Sequence, residues 1–341
     1  MRRAITLISG PVLAIFFLWL AFRNVDPDAL LVRIRAASIP LLAASLVTVV
    51  LHLLLRAQRW KTFLTPVRRA LPFGELLSAV SIGYMASLLP GRVGEVLRPA
   101  LLARRTGIPF APALATVGVE RVVFDLLGLL FFMGVGLLMP ATLSGLDRIQ
   151  DSRLLTTLHA AGVLATLLAA ALLVGFVWAA RHQARASTGM ARWAERCRTK
   201  VGRRLVTWLG SLAPGLGALA TPMGVLRLLL ETVVIWGVIA AGIQLGVEAC
   251  GVDLAPGAAL ILMPMLALGI AVPTPGGAGS YHAVMIAGLT KLFGAPPDAA
   301  ASAALVVHAA TWIPVLAMGG YFAARGGLAA PVATIPSSAQ S

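Results

Sequence analysis

Charged residues are scarce in this chain: Asp, Glu, Lys and Arg make up 12% of its 341 residues, whereas soluble domains contain about 25%. Hydrophobic residues make up 59%, and the mean hydropathy is +0.89. This composition excludes a soluble enzyme and a nucleic-acid-binding domain. It indicates an all-α protein whose helices cross a membrane several times, because helices satisfy their backbone hydrogen bonds internally.

Cysteine is almost absent, with Cys197 and Cys250 as the two copies in the chain. The topology predicted below places them on opposite sides of the membrane, so we expect no disulfide and no metal site. The sequence has no Gly-x-x-x-x-Gly-Lys-Ser/Thr nucleotide-binding loop. We therefore expect no cofactor and no direct use of ATP.

Two charged stretches interrupt the apolar sequence, one near residues 88–98 and the other at 119–125. A charge at the centre of a membrane helix costs about 2.5–3.5 kcal/mol, so these groups are expected to face the protein interior or a wet cavity. Arg121 and Asp125 are spaced i,i+4 and can pair. Glu120 points in another direction and needs a partner such as Arg92 or Arg98.

A glycine-proline pattern occurs once in each half of the chain, as Pro90-Gly91-x-x-Gly94 and as Pro275-Gly276-x-x-Gly279. Proline removes a backbone donor and glycine permits a sharp reversal, so both segments are predicted to break a helix. Interrupted segments at matching positions of two halves indicate a transporter binding site. The alternative is two ordinary loops between helices.

The apolar segments predict six full spans and two re-entrant helical hairpins. The predicted spans are 5–22, 39–55, 113–139, 158–180, 225–247 and 300–323, and the hairpins are 75–102 and 257–292. Hairpin arms that each cross fully are the alternative. Arg59 and Trp60, which follow the second span, are interpreted as an interfacial anchor, because Arg and Trp are common at membrane boundaries.

Most of the 28 Lys and Arg residues fall on one side of this topology, which is therefore cytoplasmic and holds both termini. We predict a multi-pass protein of the inner membrane with one domain, 1–325. Segments 39–139 and 225–323 then run in opposite directions as an inverted repeat, an architecture found in many secondary transporters. Segment 181–224 is a basic cytoplasmic loop, and 326–341 is a disordered tail.

The motifs Leu-Pro-Gly-Arg-x-Gly-Glu-x-x-Arg, Glu-Arg-x-x-x-Asp and Pro-x-Pro-Gly-Gly-x-Gly resemble those of the lysylphosphatidylglycerol synthase transmembrane family, the flippase-like family. The resemblance covers about 5–323 and implies a membrane protein that moves or handles a polar lipid. In the best-known members an aminoacyl-transferase domain follows; none follows here, so lysyl transfer is not expected. His282 and His308 stand where the family commonly has Glu and Arg.

The predicted function is a flippase that moves a polar or phosphate-bearing lipid, with no catalytic residues. The alternatives are a non-transporting subunit that accompanies an enzyme of a glycolipid or polyprenyl-phosphate pathway, and a membrane glycosyltransferase. The predicted headgroup-binding residues are Arg92, Glu95, Arg98, Glu120, Arg121, Asp125, Ser280 and His282. The predicted hairpin turns contain Pro90, Gly91, Gly94, Pro275, Gly276, Gly277 and Gly279, and the secondary site residues are Glu231 and His308.

Overall fold

The computed structural model describes residues 2–89, 93–139, 152–182, 199 and 213–327, and all regular secondary structure in these ranges is helical. The α-helices are α1 (Arg2–Phe22), α2 (Pro27–Arg35), α3 (Ile39–Leu64), α4 (Phe73–Ala86), α5 (Val93–Thr106), α6 (Phe110–Val119), α7 (Leu126–Leu138), α8 (Ser152–Arg181), α9 (Pro222–Ala249), α10 (Ala258–Ala271), α11 (Ser280–Ala287) and α12 (Pro297–Phe322). Short π-helical segments lie at Glu120–Asp125, Gly288–Leu292 and Ala323–Gly327, and 3-10 segments at Ala213–Leu219 and Pro275–Gly277.

Five helical stretches in the described part of the chain are long and apolar enough to cross a membrane. They are Ile39–Leu64, Phe110–Leu138, Thr156–Arg181, Pro222–Ala249 and Pro297–Gly326. The prediction of a helical, multi-pass membrane protein is therefore confirmed. The sixth predicted span, 5–22, corresponds to α1, whose apolar part, Gly10–Phe22, is shorter than these five. The count of six full spans stays a prediction.

Helix α3 continues nine residues beyond the predicted end of the second span at residue 55 and stops at Leu64. Arg59 and Trp60 consequently lie inside the helix with no exposed surface. Their interpretation as an interfacial anchor is wrong. The run of apolar residues in the sequence ends at the first charge, Arg56, but carboxylates elsewhere in the chain neutralise that charge, and the helix continues with buried Phe63 and Leu64.

The order of elements occurs twice along the chain. A long helix, two short helices and a second long stretch form the first half (α3, α4–α5, α6–α7), and the same order forms the second half (α9, α10–α11, α12). The two pairs of short helices coincide with the segments predicted as hairpins. Two main apolar clusters result, one centred on the first half with Trp60, Phe63 and Phe124, and the other on the second half with Trp236 and Met285; each also takes side chains from the other half, such as Leu228 in the first cluster and Phe132 in the second.

The two halves are joined along α3 and α9. Ser45 Oγ donates a hydrogen bond to the Gly242 carbonyl at 2.9 Å, and a Cβ at Gly242 would lie 2.2 Å from Thr48 Oγ1. Only glycine therefore allows α9 to approach α3 this closely. The halves also meet at the turns, because a Cβ at Gly276 would lie 2.7 Å from Cδ2 of Leu88, which follows α4.

Helix α1 packs against the turn of the second half. Gly279, whose φ is +82°, faces this helix so closely that a Cβ would lie 2.5 Å from the Ala14 carbonyl oxygen. Gly276 and Gly277 also have positive φ. L-amino acids with side chains rarely adopt this conformation, so the glycines of the second motif are required by the backbone of the turn.

Candidate functional site

A cluster of ionised side chains lies buried where α3 and α5 pack against the π-helical segment Glu120–Asp125. Asp125 is at its centre and binds three guanidinium groups. Its carboxylate lies 2.8 Å from Arg56 Nη1, 2.6 Å from Arg59 Nη2 and 2.8 Å from Arg121 Nη1. Because charges in an apolar interior are tolerated only when they are paired and hydrogen-bonded, this convergence explains how Asp125 is kept in the core.

Glu120 is the second buried carboxylate, with no exposed surface. Arg59 Nη2 lies 3.0 Å from its Oε1, and Arg98 Nη2 donates a hydrogen bond to its Oε2. In a regular α-helix, the side chains of Glu120 and Asp125, five residues apart, would point in directions about 140° apart. The wider π turn, closed by i→i+5 hydrogen bonds, brings the two carboxylates close enough to share Arg59.

Neutral groups provide further contacts for the arginines. Arg56 Nε donates to His52 Nε2 at 2.9 Å, and Arg59 Nη1 donates to Thr232 Oγ1 of α9 at 3.1 Å. The Arg98 guanidinium lies 4.7 Å from the centre of the Trp60 ring, a distance at which a cation and an aromatic face attract. The cluster thus takes polar contacts from the second half of the chain as well as the first.

A small pocket opens beside the cluster between α4, α5 and the π-helical segment. Its lining residues are Gly83, Tyr84, Ser87, Gly94, Glu95, Arg98 and Arg121. Glu95 and Arg121 form a salt bridge of 3.3 Å in this lining, and 29% of each side chain is exposed. The pocket therefore brings one edge of the charge network, which is otherwise buried, close to the surface of the protein.

Of the residues predicted to bind a headgroup, four from the first half come together in this cluster: Arg98, Glu120, Arg121 and Asp125. The expected pair Arg121–Asp125 forms, and Arg98 is the partner that Glu120 was expected to need. Glu95 joins them through Arg121. Pro90, Gly91 and Arg92 lie outside the described residues. Binding of a headgroup by these residues stays a prediction.

Gly94 lies at the start of α5 and faces α4. A Cβ there would lie 1.9 Å from the Gly83 carbonyl oxygen, so any side chain would separate the two short helices. In the first half, therefore, the last glycine of the motif holds the helix pair together. Its counterpart, Gly279, holds α1 instead.

Ser280 and His282 belong to a second group of polar residues around α11. Ser280 Oγ lies 3.1 Å from Thr274 Oγ1, and the Gly279 N–H donates to His282 Nδ1 at 3.3 Å. The His282 ring is 4.7 Å from that of His308 on α12. The structure therefore brings the two predicted histidines together, and their contacts are with the second turn, α1 and α12.

Glu231 of α9 lies outside both groups. It accepts hydrogen bonds from Thr62 Oγ1 at 2.9 Å and Arg227 Nε at 3.0 Å. Its contact with Thr62 is a further polar link between the two long helices α3 and α9.

Arg56, Arg59 and Thr232 contribute to the cluster but were missed by the sequence prediction. A signal for the arginines was present: they are spaced i,i+3, and Trp60, Phe63 and Leu64 continue an apolar pattern beyond them. Thr232 offered no such signal, since a threonine in an apolar helix commonly bonds to its own backbone, as Thr232 also does to the Leu228 carbonyl.

Comparison with known proteins finds two matches. A family model described as the lysylphosphatidylglycerol synthase TM region matches residues 7–319. The chain is also 32% identical over 148 residues to a protein named Glycosyltransferase AglD from Haloferax volcanii; this match covers 43% of the chain and 24% of the relative. The chain thus aligns with about a quarter of that relative's length.

Proposed function

Because this chain belongs to the lysylphosphatidylglycerol synthase transmembrane-region family, we propose that it is a flippase that moves a polar, phosphate-bearing lipid across the cytoplasmic membrane. The observation that carries the proposal is the buried cluster of Arg56, Arg59, Arg98, Glu120 and Asp125, reached through a pocket in a chain that is otherwise largely apolar. Charges kept inside a membrane protein commonly mark a pathway for a polar substrate.

The headgroup enters the pocket between α4 and α5, while the lipid tails remain in the hydrocarbon. Arg98 and Arg121 bind the phosphate, because a planar guanidinium presents several donors to phosphate oxygens. Glu120 and Asp125 hold the arginines in place through the contacts described above. Arg92 and Glu95 at the first turn, and Ser280 and His282 at the second, contact the remaining polar part of the headgroup.

The two halves, 39–139 and 225–323, act as an inverted repeat. Each pair of short helices returns to the side of the membrane from which it enters, the first pair to the cytoplasmic side and the second to the opposite side. The packing of Leu88 against Gly276 supports a site at which the two turns meet. Both termini and the 181–224 loop lie in the cytoplasm. Alternating access arises when one half moves against the other about the contact between α3 and α9, as inverted-repeat transporters do.

A scramblase-type assay with purified protein in liposomes tests this proposal. Fluorescent phospholipids are added to both leaflets, and a membrane-impermeant reductant reports how fast the inner leaflet becomes accessible. We expect acceleration over protein-free liposomes and a loss of at least about tenfold in Arg98→Gln, since a charged hydrogen bond contributes about 1.5–3 kcal/mol. Arg35→Gln, an exposed arginine at the end of α2, is the matched control and should flip lipid normally.

Two other functions predict a different result. The relative named Glycosyltransferase AglD favours a membrane glycosyltransferase as the second candidate. In that case the purified protein forms a glycosylated lipid from a sugar-phosphate donor. A non-transporting subunit neither flips lipid nor forms product, but co-purifies with a lipid-biosynthetic enzyme. Failure to accelerate any polar lipid would overturn the flippase proposal, and these two assays would then decide between its alternatives.

A further inference from the structure

The buried cluster, counted together with the Glu95–Arg121 pair at its edge, carries an excess of positive charge among the described residues. Its cations are Arg56, Arg59, Arg98 and Arg121, and its anions are Glu95, Glu120 and Asp125. His52 accepts a hydrogen bond from Arg56 through Nε2, so this imidazole is not doubly protonated and adds no charge. The four cations and three anions leave a net charge of +1.

The unbalanced charge coincides with unused hydrogen-bond donors on Arg98. This residue is 2% exposed and lines the pocket, and its Nη2 is bound to Glu120. Its Nε and Nη1 are buried and have no hydrogen-bond partner among the residues that the structure describes. Buried donors that are left unpaired are destabilising, so these two N–H groups identify where a ligand oxygen would bind.

The start of helix α5 adds to the positive potential at the same place. Gly94 and Glu95 belong to its first turn and line the pocket. The first turn of a helix has N–H groups without intrahelical partners and the positive end of the helix dipole. Anions bind at such helix starts. The buried Arg98 side chain and the helix start therefore favour the same class of ligand.

Resting on the proposed function, we propose that the site selects a lipid whose headgroup carries one negative charge, that of a phosphodiester. Glycerophospholipids and polyprenyl-phosphate sugars share this chemistry. One such charge neutralises the cluster and gives Arg98 its missing acceptors. A diphosphate lipid would leave negative charge uncompensated in a buried site. A neutral glycolipid would leave the positive charge uncompensated and the free donors without an acceptor.

Binding in detergent micelles tests this selection without requiring transport. Native mass spectrometry of the purified full-length chain measures the affinity for phosphatidylglycerol, a polyprenyl-phosphate hexose, undecaprenyl diphosphate and a neutral diglucosyl diacylglycerol. We expect at least one phosphodiester to bind about tenfold or more tightly than the diphosphate and the neutral lipid. The phosphodiester that binds more tightly shows whether the ligand is a glycerophospholipid or a polyprenyl-phosphate sugar. Equal binding of all four lipids would overturn the proposal.

The decisive variant is Glu95→Gln, which raises the cluster charge from +1 to +2 without changing the shape of the side chain. Glu95 is partly exposed and pairs with Arg121, so the buried network around Asp125 stays intact. The preference should shift by about tenfold toward the diphosphate lipid, because a charge a few Å away acts through a medium of low dielectric constant. Glu75→Gln on α4, a partly exposed glutamate paired with Arg105, is the matched control and should leave the preference unchanged.

A second variant separates charge from hydrogen bonding. Arg98→Lys keeps the net charge but removes the planar fork of donors, so it should weaken phosphodiester binding about tenfold without moving the preference toward the diphosphate. If Glu95→Gln shifts the preference no more than Glu75→Gln does, the charge-selection proposal is wrong.

The binding and flipping assays together separate the two proposals. Selective binding without flipping would overturn the flippase proposal alone. Flipping of neutral or diphosphate lipids without phosphodiester binding would overturn charge selection alone.

Discussion

The two halves of this molecule share an order of helices but differ in how they treat charge. The first half buries arginines and carboxylates between α3, α5 and the π-helical segment. Around its own turn the second half has Ser280, His282 and His308, which make their contacts through hydroxyl and imidazole groups. A repeated architecture therefore does not imply a symmetric site, since one half can provide charge and the other neutral polar contacts.

The glycine motifs show the same divergence. Gly94 holds α4 against α5 within the first half, whereas Gly279 packs against α1, which precedes both halves in the chain. Similar sequence at two turns thus serves two kinds of close packing. The predictions below test whether charge and packing are divided between the halves in this way, beginning with the largest effect.

The largest effect is expected for Asp125→Ala, because Asp125 is the shared partner of Arg56, Arg59 and Arg121. Removing one member of a buried ion pair costs about 3–5 kcal/mol, since the opposite charge is left uncompensated. We expect low yield and a large drop in melting temperature in detergent.

The control for this change is Asp298→Ala in the second half. Asp298 lies in the first turn of α12 and accepts a hydrogen bond from the backbone N–H of Asp26 at an exposed site. It should purify almost normally. If both variants are equally stable, the buried network does not stabilise the first half and the contrast between the halves is lost.

A smaller effect is expected for Gly279→Ala at the second turn. The added methyl group would collide with the Ala14 carbonyl of α1, and the positive φ of residue 279 would become strained. Such backbone strain costs about 1–3 kcal/mol. Melting temperature measures the loss, and protease sensitivity of α1 shows whether this helix detaches.

Gly237→Ala in α9 is the matched control for the turn. No heavy atom lies within 4 Å of a Cβ at this position, and the backbone is helical. This change should be neutral or should stabilise the protein, because glycine is less favourable than alanine inside a helix. Equal melting temperatures for the two variants would show that the second turn tolerates a side chain and that α1 does not depend on it.

A smaller loss of stability is expected when the hydrogen bond between Thr232 of α9 and Arg59 of α3 is removed. Thr232→Val keeps the shape of the side chain but removes the acceptor for Arg59 Nη1. A buried donor without a partner costs about 1–3 kcal/mol, so stability should fall modestly. Val233→Thr on the exposed face of α9 is the control and should have little effect. Unchanged stability and lipid flipping in Thr232→Val would show that α9 is not needed to hold Arg59.

Much of the fold and part of this site could be predicted from the sequence. Hydropathy identifies the helices, and the i,i+4 spacing identifies the pair Arg121–Asp125, because both are local properties. Arg56 was missed and Arg59 was assigned to an interfacial anchor because a count of apolar residues stops at a charge and carries no information on a partner 60 or more residues away. The contact of Arg59 with both carboxylates also depends on a π turn, which changes the direction of Asp125.

The smallest effect is expected for His282→Gln in the second half. Its imidazole accepts a hydrogen bond from the Gly279 N–H through Nδ1, and an amide oxygen can take over this role. A neutral hydrogen bond contributes about 0.5–1.5 kcal/mol, roughly half the contribution of a charged one. If His282 contacts the headgroup as a neutral group, flipping should slow about threefold, well below the loss expected for Arg98→Gln.

The liposome flipping assay, run at several pH values, distinguishes a neutral His282 from a protonated one. A neutral contact predicts that His282→Gln slows flipping by the same factor at each pH, whereas a histidine that must be protonated predicts a factor that grows as the pH falls, since glutamine cannot acquire the charge. His159→Gln on α8 is the control for the loss of a histidine elsewhere in the chain. A slowing of tenfold or more, or one that grows toward low pH, would mean that the second half also supplies charge and that the site is more symmetric than the contacts of its residues indicate.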